Sequence, residues 1–204
     1  MPLPPSVSRE ELHLRRIEVR GYRRHDALYD VEARITDTKS QAFKPGDGAV
    51  VGAGTPLHDM WVRVVVDEDL TVHDAIASTD AAPYAICREA TESLAQLKGL
   101  RIGPGWSAAV KQRLAGAKGC THLTELLAPL ATTAFQTLSP VRQARPMTVN
   151  AHGRPAKIDS CYAYAGNRDV VKRRWPEFYD GPESRAAAAN PSNESGTNIE
   201  GEAR

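Results

Sequence analysis

Apolar residues change their spacing once along this chain, and that change limits the folds open to it. Tyr29, Val31, Ala33 and Ile35 alternate with Asp30, Glu32 and Arg34, the period of two that marks a strand with one buried face. Ile17 and Val19 alternate with charged residues ahead of Gly21, and His25 and Asp26 lie where a hairpin turn would join the two runs. Residues 60–66, MWVRVVV, are the most β-rich segment; Asp67, Glu68 and Asp69 read as a turn, and residues 71–79 as the hairpin partner. From Cys87 onward the spacing becomes helical. Cys87, Ala90, Leu94 and Leu97 share one helix face, with Pro83 at the start and Gly99 at the end. Residues 102–106 form a rigid turn, and residues 107–115 a short helix that Ser107 would cap. Leu123, Leu126, Leu127, Leu130, Ala131 and Ala134 stripe a longer helix from Thr121, which Pro129 should kink.

Strands first and helices last, with hairpin-length connections, predict an α+β fold. An antiparallel sheet of about four strands would carry its helices on one face and leave the other partly polar. Residues 44–55 hold four glycines and a proline and read as a loop, residues 147–164 suggest one or two short strands, and residues 168–175 a short helix. The reading divides the chain into a flexible start over residues 1–11, a single domain over 12–180, and a disordered tail over 181–204, where bulky apolar residues all but vanish.

Composition removes several classes of function. Lys and Arg number 26 against 25 Asp and Glu, a net charge of +1, so no bulk attraction draws the chain to nucleic acid or to an anionic membrane. No apolar run approaches the ~18–20 residues of a membrane span, and the start has no apolar signal core. With 3 cysteines among 204 residues, a disulfide framework is not expected and a reducing, cytoplasmic setting is. No phosphate loop, dinucleotide fingerprint, nucleophile elbow or zinc-finger spacing occurs, so no nucleotide cofactor is indicated.

The polar groups that could carry chemistry are His58, Asp59, Asp80, Cys87, Cys120 and His122. His58 and Asp59 follow the glycine-rich loop and open a strand; Asp80 ends the strand paired with it. Cys120 and His122 open the long helix, whose N-terminal dipole favours a thiolate and a neutral imidazole. Thiolate, neutral imidazole and carboxylate are ligands for zinc or iron, so His58, Asp59, Cys120 and His122 form the candidate metal set. Cys120, His58, His122 and Asp80 are the catalytic candidates. Each also has a plain structural use: Cys87 on an apolar stripe, Cys120 filling a turn, His58 and Asp59 bonded at a strand edge, His122 packing or capping. His13, His25, His73 and His152 are expected to be solvated and Cys161 structural. The basic groups at Arg15, Arg16, Arg20, Arg23 and Arg24 and at Lys172 to Arg174 read as solvated faces.

The runs LHDMWVRVVVDEDLTVHDAIASTDAAPYAIC, LKGLRIGPGW and GCTHLTELL resemble a bacterial family, domain of unknown function 2889, over most of residues 9–180. That family implies no activity. The order of parts is also similar, more distantly, to the NifU/IscU-type iron–sulfur scaffolds and their SufE relatives. In that resemblance Leu57-His58-Asp59 stands for the first Cys-Gly-Asp turn and VRVVVDEDLTVHDA for the hairpin. Thr79 to Ala82 stands for the second cysteine loop, Lys98-Gly99 for the helix end, and Cys120-Thr121-His122 for the last ligands. The three-cysteine set is not reproduced. The resemblance therefore implies a NifU/SufE-like fold with a harder, His/Asp-rich pocket suited to zinc or non-haem iron rather than a cluster.

Three functions follow. One is metal or cofactor handling through that pocket, toward a protein partner or small molecule. A second is a small-molecule enzyme, a metal-assisted or Cys120-dependent lyase or hydrolase, with a pocket lined by Trp61, Tyr84 and Trp106. A third is a metal-free interaction domain using the basic strand face. The sequence leaves the oligomeric state open.

Overall fold

A computed structural model describes residues 3–46 and 48–182; the expected tail, apart from its first two residues, lies outside the described residues. Four strands make one sheet in sequence order: β1 His13–Arg23, β2 Tyr29–Lys39, β3 Pro56–Val66 and β4 Val72–Ala81, each antiparallel to the next. Helices follow: α1 Trp106–Leu114, α2 Thr121–Thr137, α3 Ser139–Gln143 and α4 Asp169–Arg174. The fold is α+β, as the change of spacing predicts. By its internal contacts the chain forms two compact units, Met1–Ala144 and Arg145–Arg204.

The strand hairpins are closed by carboxylates. Asp26 Oδ1 accepts the Leu28 amide, and Asp67 Oδ1 accepts the amides of Asp69 and Thr71 at 2.9 Å each. Asp67 Oδ2 also pairs with His73 Nε2 at 2.9 Å, so His73 is not simply solvated. Period two then sorts the side chains. Tyr29, Val31, Ala33 and Ile35 of β2 and Met60, Val62, Val64 and Val66 of β3 are all buried. They face α2, which packs on β1, β2 and β3 through Leu123, Leu126, Leu127, Leu130, Ala131 and Ala134. Pro129 lies inside α2, and the helix continues past it. A core leucine such as Leu130, 0% exposed, is expected to cost about 2–5 kcal/mol of unfolding free energy when cut to alanine, as urea titration would show.

Gly21 sits on the helix-facing side of β1, where a Cβ would collide with Thr137 Oγ1 at the end of α2. Gly21→Ala is expected to destabilise by about 1–3 kcal/mol, the usual cost of overpacking, measured by denaturant unfolding.

Two expectations change in detail. Residues Ala85–Leu97 form 3-10 turns, not an α-helix; Leu94 and Leu97 are buried while Cys87 is only half-buried. Successive 3-10 turns keep an i, i+3 face, which is all that the Leu94 and Leu97 pair needs. The helix expected from Ser107 begins at Trp106, with Gly105 as its cap residue at φ 88°, a left-handed conformation open to glycine. Trp106 is buried in the core, its indole N–H donating to Leu127 O at 3.3 Å.

In the second unit, the region expected to hold short strands contributes a single bridge, Val149 to Pro155. Among the described residues no helix is long and apolar enough to cross a membrane.

Candidate metal centre

On β2 and β3 the helix-covered face is apolar from Tyr29 to Ile35 and from Val66 to Met60. Ile17 pairs with Ile35 and Ile35 with Met60; the next row in register is Arg15, Asp37 and His58. Parity puts these three side chains on the buried face, in phase with the apolar column of each strand. Asp37 is 0% exposed and His58 is 8% exposed. A buried carboxylate needs partners, and Asp37 has four contacts with three residues. Arg15 Nε donates to Oδ1 at 2.7 Å and Arg15 Nη2 to Oδ2 at 2.8 Å. His13 Nε2 lies 3.1 Å from Oδ1 and His58 Nδ1 lies 2.9 Å from Oδ2.

The start of α2 completes the cluster from the other side. His122 lays its ring on that of His58, centroids 3.8 Å apart with a tilt of 31°. Cys120 Sγ is 4.0 Å from His122 Nδ1. Glu125, one turn further on, accepts Arg15 Nη1 at 2.6 Å, so one guanidinium ties β1 to both β2 and α2. Asp37, His58 and His122 each offer a ligand atom, all within 4.8 Å of one another, a group able to hold a metal ion.

Burial alone would raise the Asp37 carboxyl; the Arg15 guanidinium and His58 more than offset it and hold Asp37 at about 2. Arg15 is held more firmly charged than usual, chiefly by its hydrogen bond to Asp37. Burial pushes His58 down against the upward pull of Asp37, and burial followed by the nearness of His58 pushes His122 down. An ionised Asp37 can only accept, so Nδ1 of His58 carries the proton and Nε2 keeps its lone pair. Both imidazoles are in the neutral, ligating form at neutral pH.

These shifts set the acid behaviour of the metal-free protein. Asp37, lowered from 3.8 to about 2, contributes stability that is complete above its unfolded value and lost as pH falls through the folded one. The two histidines, lowered from 6.5, favour the fold above that value and oppose it once the unfolded chain protonates. Unfolding free energy is therefore expected to decline in two stages on acidification, first below about pH 6.5 and again below about pH 4. Urea midpoints across that range check this; a flat profile down to about pH 4 contradicts it.

Of the sequence candidates, His58, His122 and Cys120 come together. Asp59 and Asp80 do not join them, because neighbours on a strand point to opposite faces. Asp59 lies on the helix-free face and accepts Arg34 Nε at 2.8 Å and Arg34 Nη2 at 2.6 Å. Asp80 is exposed and borders a groove of about 330 Å³ on the same face, with Trp61 and Arg63. Sequence reasoning missed Asp37, Arg15, His13 and Glu125. The signal was available for Asp37: it continues the buried series Tyr29, Val31, Ala33, Ile35 in phase. Arg15, read as part of a solvated face, lies opposite it.

The fold and the cluster describe an α+β protein whose four-stranded sheet ends in a buried His/Asp group. Residues 13–136 match the family described as protein of unknown function (DUF2889), and the chain belongs to that family. The match ends inside α2 and includes every residue of the cluster. No curated protein matches the chain, and no solved structure does. The likeness to NifU/IscU/SufE-type scaffolds gains no support from these comparisons.

Proposed function

We propose that this protein binds a divalent transition-metal ion, zinc or iron, between His58 and His122, and serves in metal or cofactor handling. The observation that carries this reading is the tautomer of His58. A buried carboxylate takes its Nδ1–H at 2.9 Å, which leaves Nε2 its lone pair, and the ring lies on that of His122. Carboxylate behind histidine behind metal is the usual way to fix the ring and raise its basicity. Two neutral imidazoles with a thiol nearby suit zinc best. All three cysteines are free, in keeping with a cytoplasmic setting.

Handling is favoured over turnover because the aromatic residues that would line a substrate pocket stand apart. Trp61 stacks under Arg34 on the helix-free face, Trp106 is in the core, and Tyr84 is 48% exposed.

The test is metal content, by plasma mass spectrometry, of untagged protein purified with and without air. About one equivalent is expected in the wild type, with near-complete loss in His58→Ala and in His122→Ala, each shown to be folded by circular dichroism. Metal absent from every preparation, or retained in both variants, refutes the reading.

A further inference from the structure

We infer, resting on the metal-binding reading above, that Asp37 is a positioning residue which Arg15 holds off the metal, and that the third protein ligand is Cys120 Sγ. The cluster tempts the opposite assignment, with Asp37 as the hard ligand beside two histidines. Its oxygens are already taken. An ionised carboxylate accepts at about four lone-pair positions, and Asp37 receives two nitrogens of Arg15 together with His13 and His58. To reach a metal it would have to release one of them from a fully buried carboxylate. The clamp is also fixed from outside, since the third nitrogen of Arg15 is tied to Glu125 on α2.

Cys120 stands beside a ligand histidine with its sulfur free of such a clamp. A tetrahedral zinc bound at about 2.3 Å to sulfur and about 2.1 Å to nitrogen holds the two ligand atoms about 3.6 Å apart. Cys120 Sγ and His122 Nδ1 are 4.0 Å apart, so a small rotation brings both onto one ion. With Nδ1 donating to Asp37, His58 keeps its Nε2 lone pair, and its ring lies on that of His122. Binding would release the thiol proton to solvent. The resulting two-histidine, one-cysteine set leaves one tetrahedral position for an exchangeable outside ligand, water or a thiolate of the molecule that receives the ion. That open position suits a site that both takes up and gives away metal.

Cobalt(II) titrated into the metal-free protein in place of zinc reads the ligand set directly. The wild type is expected to show a thiolate-to-cobalt charge-transfer band, which Cys120→Ser removes. Asp37→Asn is expected to keep the band while binding roughly 10–100-fold more weakly, the usual loss when an outer partner of a metal-bound histidine is removed. Cobalt bound by the wild type without the band overturns the inference. So does a folded Asp37→Asn that binds none while Cys120→Ser binds normally. X-ray absorption of the zinc-loaded wild type needs no variant: one sulfur near about 2.3 Å supports the inference and a shell of nitrogen and oxygen alone refutes it. A wild type that takes up neither cobalt nor zinc fells the metal-binding reading itself.

Discussion

Arg15→Leu is expected to lower the unfolding free energy by about 3 kcal/mol at neutral pH, more than a surface arginine would. Asp37 is 0% exposed, and removing its bidentate partner leaves a buried carboxylate with only the His13 and His58 rings bonded to it. Breaking a buried pair from one side costs about 3–5 kcal/mol, and the low end applies because the Arg15 side chain is 32% exposed. The paired change, Arg15→Leu with Asp37→Leu, is expected to recover most of that loss. It would extend the apolar row of Ile17, Ile35 and Met60 by one step, and apolar replacement of a whole buried pair is commonly neutral or stabilising. Urea unfolding of the two variants and the wild type measures both steps. A single variant within about 1 kcal/mol of the wild type would show that the row is not held by this pair, since surface changes stay in that range.

The second large effect comes from the ion. A ligand that binds only the folded chain stabilises it by about 4 kcal/mol at a thousandfold excess over its Kd. For a chain of this size that is a rise in Tm of roughly 10 °C. Zinc should therefore raise the Tm of the metal-free wild type by about that amount and leave His58→Ala and His122→Ala unmoved. His73→Ala is the control: His73 pairs with Asp67 at the far hairpin, and its loss should leave the zinc response intact. Equal responses in all four proteins would place zinc on scattered surface groups.

The sheet was legible because alternation is a local property. Tyr29 to Ile35 and Met60 to Val66 state their buried faces without help from the rest of the chain. The switch to helical spacing after the last strand was enough for α+β. The 3-10 turns over Ala85–Leu97 were not legible, since an i, i+3 apolar face suits either helix over so short a run.

The candidate site was half legible. His58, Cys120 and His122 stand out as residue types at the mouths of elements. Asp59 is the carboxylate that adjoins His58 in sequence, and that adjacency is what sends it to the other face. The carboxylate beside His58 comes instead from β2, through register. Strand pairing across the loop of residues 40–55 sets that register, and one sequence alone does not reveal it. Arg15 was hidden for a different reason. A cation among cations reads as solvent-facing until the buried anion opposite is placed.

The proposed metal ion would sit between β3 and the start of α2. Anomalous diffraction from crystals of the zinc-loaded protein, collected on both sides of the zinc absorption edge, tests it most directly. A single strong peak is expected within bonding distance of His58 Nε2 and His122, at about 2.0–2.1 Å from each nitrogen. A peak elsewhere on the chain, or none between two well-ordered imidazoles, would contradict it.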